Sequence, residues 1–166
     1  MSAGVRSVSV RSRWLQSPAV ELVARWILGG AFVFAAGAKI LDPPAFAHEI
    51  YNFRLLPGSL VNAAALWLPW VEMLAGLALI AGFRRWRRLS ALLLAALLVA
   101  FIGALSINLA RGHAVDCGCF GSSKTPKTTE QRLNDMRIAI GRDVLLLALL
   151  LPILARPLTP PPLSRR

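Results

Sequence analysis

Apolar residues gather into four stretches, each at or near membrane-spanning length, divided by short polar segments. The first runs from about residue 19 to 41. Its charge-free centre, Trp26 to Ala38, covers 13 residues, and Arg25 and Lys39 extend its reach by snorkelling their charges to the headgroups. Ala36-Gly37-Ala38 also matches an A-x-A cleavage pattern, but the long basic region before it and Glu21 within it favour a retained span over a signal peptide. Asp42-Pro43-Pro44 then stops the helix, and the Phe46/Ile50/Phe53 spacing predicts a short interfacial helix. The second span runs from about Leu60 to Phe83, with Trp67 and Trp70 as belt residues, Pro69 as a kink point and Glu72 well inside. Gly76 and Gly82 in it permit close helix approach. The third, Leu89 to Ala110, has no charge over 22 residues. The fourth opens after Pro126 with a capping-box pattern, Thr128-x-x-Gln131. It passes through a polar turn or two and continues over Ile138 to Ala155, interrupted by Arg142-Asp143.

The pattern predicts an all-α membrane protein, a four-transmembrane-helix bundle with both termini cytoplasmic. Residues 1–18 form a basic leader, 19–156 the four-helix domain, and 157–166 a Pro/Arg-rich tail.

Composition strengthens the membrane reading. Hydrophobic residues make up 56% and charged ones 16%, against about 25% charged in soluble domains. The net charge of +11 fits arginines that set topology better than a nucleic-acid surface, so the expected partner is the lipid bilayer and not a nucleic acid. Arg84-Arg85-Trp86-Arg87-Arg88, read as a short loop, marks the cytoplasmic side, with Trp86 as an interface anchor. Four spans put both termini on that face, which then carries 11 Lys and Arg against 8 opposite. The location implied is the cell membrane, multi-pass, with the loop after the third span extracytoplasmic.

That loop holds the chemistry. Cys117 and Cys119 are the two cysteines of the chain, separated by Gly118. A disulfide across one residue requires a bent backbone, which Gly118 permits, and closes too short a loop to stabilise much. Three readings stay open: an exchangeable redox pair, a local staple or inert loop cysteines, and a metal site. A structural zinc normally takes four ligands, and one pair plus His113 falls short, so no metal is expected. His48 and His113 read as loop residues.

Glu72 is the second candidate. A carboxylate in hydrocarbon usually faces the bundle interior or a partner. It reads as a proton or ligand-cleft site, or as a structural contact to Lys39, Arg54 or Asn108 near the extracytoplasmic half. No cofactor is evident, although a quinone could lodge between helices.

Several pieces, in order, resemble one family: Arg25…Gly37-x-Lys39-Ile40, Pro44-x-Phe46, Tyr51…Leu56-Pro57, Leu68-Pro69-x-x-Glu72…Gly76 and Cys117-Gly118-Cys119-Phe120-Gly121. Together, over Arg25 to Leu151, they are similar to the methylamine utilisation protein MauE family of the DoxX-like group. The resemblance implies a redox-associated membrane protein that supports maturation of an exported, disulfide-rich protein, the small subunit of methylamine dehydrogenase.

Two functions of different class follow. The first is thiol–disulfide exchange by Cys117 and Cys119 with an extracytoplasmic thioredoxin-like or exported disulfide-rich partner. The second is a non-enzymatic assembly or transport factor with structural cysteines. The chain lacks the second cysteine pair that a self-contained quinone-linked oxidase needs.

Overall fold

Proline and capping residues mark where the helices start. Pro18 opens α1 (Pro18–Leu41), where a missing N–H leaves no bond unmade. Asp42 ends α1 and caps α2 (Pro43–Asn52), its Oδ1 accepting from Ala45 N at 3.1 Å. α3 (Gly58–Ala81) contains Pro69 and stops at Gly82, whose φ of 71° gives a left-handed cap. α4 covers Arg84–Ala110, α5 Thr129–Leu149 and α6 Leu151–Ala155. Pro152 cannot donate to the carbonyl four residues back, which accounts for the break between α5 and α6. This is a computed structural model that describes residues 17–115 and 128–155. The leader up to residue 16, the cysteine stretch 116–127 and the tail from 156 lie outside the described residues.

Four helical stretches are long and apolar enough to cross a membrane: Pro18–Leu41, Gly58–Ala81, Arg85–Ala110 and Thr129–Ala155. The protein is thus an all-α, four-span membrane bundle. The long helices form a ring in the order α1, α3, α4, α5, with α1 and α3 the most extensively packed pair and α1 and α5 the least. Gly29 and Gly76 allow the tight pair: a Cβ on Gly29 would lie 2.8 Å from the Gly76 carbonyl oxygen. Trp26, Phe34, Trp67, Leu74, Ile138 and Leu145 face outward, as lipid-facing residues should.

Two apolar cores sit at opposite ends. Leu28, Leu79, Leu94, Leu150 and Ile153 fill one, where α1 begins, α3 gives way to α4 and α6 ends. Phe53, Leu105, Val115, Met136 and Ala139 fill the other, where α2 closes the bundle and the chain reaches Val115. Asn108 ties α4 to this end by donating to the Phe53 carbonyl at 3.1 Å.

Three expectations change. The arginine cluster is not a loop: Arg84 to Arg88 form the first turn of α4, because Gly82 and Phe83 suffice to reverse the chain and arginine is a good helix former. Gly82 caps α3, and the Arg25 guanidinium occupies the space a Cβ there would need. Arg25 and Lys39 do not snorkel. Arg25 donates to the Leu79 and Ile80 carbonyls, both at 2.9 Å, satisfying the end of α3, and Lys39 turns inward.

Candidate functional site

Glu72 lies 14 residues into α3, about 20 Å from its start at 1.5 Å per residue. Its neighbour is Lys39, which donates to Oε1 at 3.0 Å and to Oε2 at 2.7 Å. Both side chains are about nine-tenths buried. The Lys39 ammonium also sits 5.0 Å from the centre of the Phe46 ring, an attraction that strengthens when both groups leave water. Of the contacts expected for Glu72, Lys39 is the one present; Asn108 bonds instead to the carbonyls of Phe53 and Ala104.

A second charge pair faces the same interior. Arg142 donates through Nε and Nη2 to Asp143 Oδ1 at 2.9 and 2.7 Å. The Asp143 side chain is 3% exposed. Its Oδ2 is buried and takes no hydrogen bond among the described residues. A buried, unsatisfied polar atom costs about 1–3 kcal/mol, so its persistence calls for an explanation.

The two pairs border one cavity of about 60 Å³ between α1, α3, α4 and α5. Lys39, Glu72, Arg142 and Asp143 supply its polar edge, and Phe32, Leu97, Leu98, Phe101 and Leu146 its apolar walls. The four charges sum to zero, so the site suits a neutral guest. In the sequence Asp143 reads, with Arg142, as an interruption of the fourth span. What marks it is a carboxylate inside an apolar run, a signal that Glu72 shares.

A second cavity, of about 190 Å³, lies at the α2 end, lined by Asn52, Arg54, His113, Ala114, Val115 and Arg132. His48 pairs with Asn52 in α2 at 3.0 Å, and Trp86 is exposed on α4. Cys117 and Cys119 lie outside the described residues. The flanking Val115 belongs to the core at the α2 end, opposite the arginines.

The fold and this interior define a class: four-span helical membrane proteins with charged groups paired at mid-depth. The profile of the family described as Methylamine utilisation protein MauE matches residues 17–156, and the chain belongs to that family. It is 34% identical over 106 residues to the methylamine utilization protein MauE of Methylophilus methylotrophus, covering 63% of this chain and 55% of that protein. With the protein of the same name from Paracoccus denitrificans it shares 37% over 108 residues, 64% of this chain and 57% of the relative. With that of Methylorubrum extorquens it shares 34% over 114 residues, 68% and 60%. The chain thus spans a little more than half the length of these curated relatives. No solved structure matches it.

Proposed function

We propose that this protein serves methylamine utilisation as a redox-associated component of the cytoplasmic membrane, exchanging disulfides through Cys117 and Cys119. Its termini face the cytoplasm and the cysteine stretch faces the extracytoplasmic side. The client is an exported, disulfide-rich protein, by family resemblance the small subunit of methylamine dehydrogenase. One observation carries the reading. The two cysteines of the chain stand one residue apart in sequence between Val115 and Thr128, and the flanking Val115 packs at the end of the bundle opposite the one where Arg84 to Arg88 begin α4. Arginines gather on the cytoplasmic side of membrane proteins, and disulfides persist on the other.

The exchange balances without a further co-reactant at each step. A client thiolate attacks one sulfur of a Cys117–Cys119 disulfide and gives a mixed disulfide. The second client thiolate resolves it, leaving the client oxidised and Cys117 and Cys119 as thiols that have gained two electrons and two protons. A thioredoxin-like carrier with a disulfide restores the pair by the reverse sequence, and a reducing carrier drives the cycle the other way. A one-residue bridge is strained, hence exchangeable.

The test is thiol trapping in cells. Single Cys117→Ser and Cys119→Ser variants should accumulate mixed disulfides with an extracytoplasmic protein, while the double variant inserts normally and fails to support client maturation. Full client maturation with the double variant would turn the reading toward a non-enzymatic assembly factor.

A further inference from the structure

Asp143 combines three features that the thiol chemistry leaves unused. It lies 14 residues into α5, at mid-depth in the bundle. It lines the cavity that Lys39 and Glu72 also border. Its Oδ2 is buried and accepts no hydrogen bond among the described residues. The donor it lacks is not a cation, because Lys39 and Arg142 already neutralise both carboxylates of the site. Water at the polar edge can donate to Oδ2, but it leaves the carbon walls of Phe32, Phe101 and Leu146 without an apolar occupant.

At about 60 Å³ the cavity is large enough for a small head group and not for a whole lipid. Its border between α1 and α5 is the loosest seam of the ring, closed by α6 only toward the arginine end. A guest can therefore leave its tail in the bilayer and insert its head.

We propose that this cavity binds a lipid-soluble molecule with a hydroxyl head group, the hydroxyl donating to Asp143 and the adjoining apolar body lying against Phe32, Phe101 and Leu146. The site is independent of the cysteines. Two sources share the chemistry: an alkyl hydroquinone, whose ring suits the two phenylalanines, and a lipid with a free hydroxyl such as a diacylglycerol.

The test uses the full chain in nanodiscs, with and without Cys117→Ser/Cys119→Ser so that the outcome is separate from thiol exchange. Two photoreactive probes are compared, a long-chain alcohol and its methyl ether, which accepts but cannot donate. The alcohol should label peptides of α1 and α5 at least tenfold more strongly than the ether. Ala35→Leu, which fills the cavity and leaves every charge in place, should abolish that labelling. In Asp143→Asn the amide can donate to an ether, so the preference should fall below twofold. Competition by decylhydroquinone or by dioctanoylglycerol identifies the source. Equal labelling by alcohol and ether, unchanged labelling in Ala35→Leu, or competition by neither compound would overturn the proposal.

Discussion

Glu21 of α1 and Arg87 of α4 are 66 positions apart in sequence and 2.8 Å apart in the bundle. The carboxylate side chain is 1% exposed and the arginine 11%. One member of the arginine cluster therefore clamps two helices, while Arg85 and Arg88 remain exposed. Removing one partner of a buried pair strands the other charge, at about 3–5 kcal/mol. Glu21→Gln should therefore lower the unfolding temperature in nanodiscs markedly, and Glu21→Gln with Arg87→Met should recover part of the loss. Additive losses in the double variant would mean that the pair is not coupled.

The glycines of α1 make a sharper comparison. A Cβ at Gly29 meets backbone at 2.8 Å and Ile80 Cγ1 at 2.5 Å, whereas one at Gly30 meets nothing within 4 Å. Gly29→Ala should destabilise the bundle by about 1–3 kcal/mol, because α1 and α3 must move apart. Gly30→Ala should be neutral or stabilising, since it only restricts the unfolded chain. Thermal unfolding of the two variants side by side checks this.

For Glu72, shape and charge can be separated. Glu72→Gln keeps an acceptor for Lys39, and Glu72→Leu leaves the ammonium unsatisfied in an apolar interior. Client maturation and unfolding temperature should both fall further in Glu72→Leu, and Lys39→Met should partly rescue it. If Gln and Leu variants both match the parent protein, Glu72 leaves the list of functional residues.

The start of α5 offers a local test. Thr128 Oγ1 accepts from Gln131 N at 3.3 Å, and Gln131 Oε1 accepts from Thr128 N at 3.0 Å. Thr128→Ala should cost about 1 kcal/mol and speed amide exchange at Gln131, with the centre of α5 unaffected.

Topology can be read chemically. After mild reduction, a membrane-impermeant maleimide added to intact cells should modify Cys117 or Cys119. Modification only after permeabilisation would place that stretch, and with it the proposed chemistry, on the cytoplasmic side.

The four spans, the capping box at Thr128 and the break at Asp42 were legible in the chain, because run length, proline and capping residues act locally on the backbone, whereas the fourth span, expected to continue to Ala155, breaks before Pro152. The short helix over Phe46 to Phe53 was legible for the same reason. Side-chain partners were not. Arg25 and Lys39 sit at span ends where snorkelling is the ordinary outcome, and only the packing of α1 against α3 turns one toward the α3 carbonyls and the other toward Glu72. Glu21 and Arg87 meet across the diagonal of the ring, where two long side chains reach inward at the end of the bundle at which α1 and α4 both begin. The charge of Asp143 was visible in the sequence. That it borders a cavity with Lys39 and Glu72, with one oxygen unsatisfied, depends on four helices converging, which no local pattern encodes.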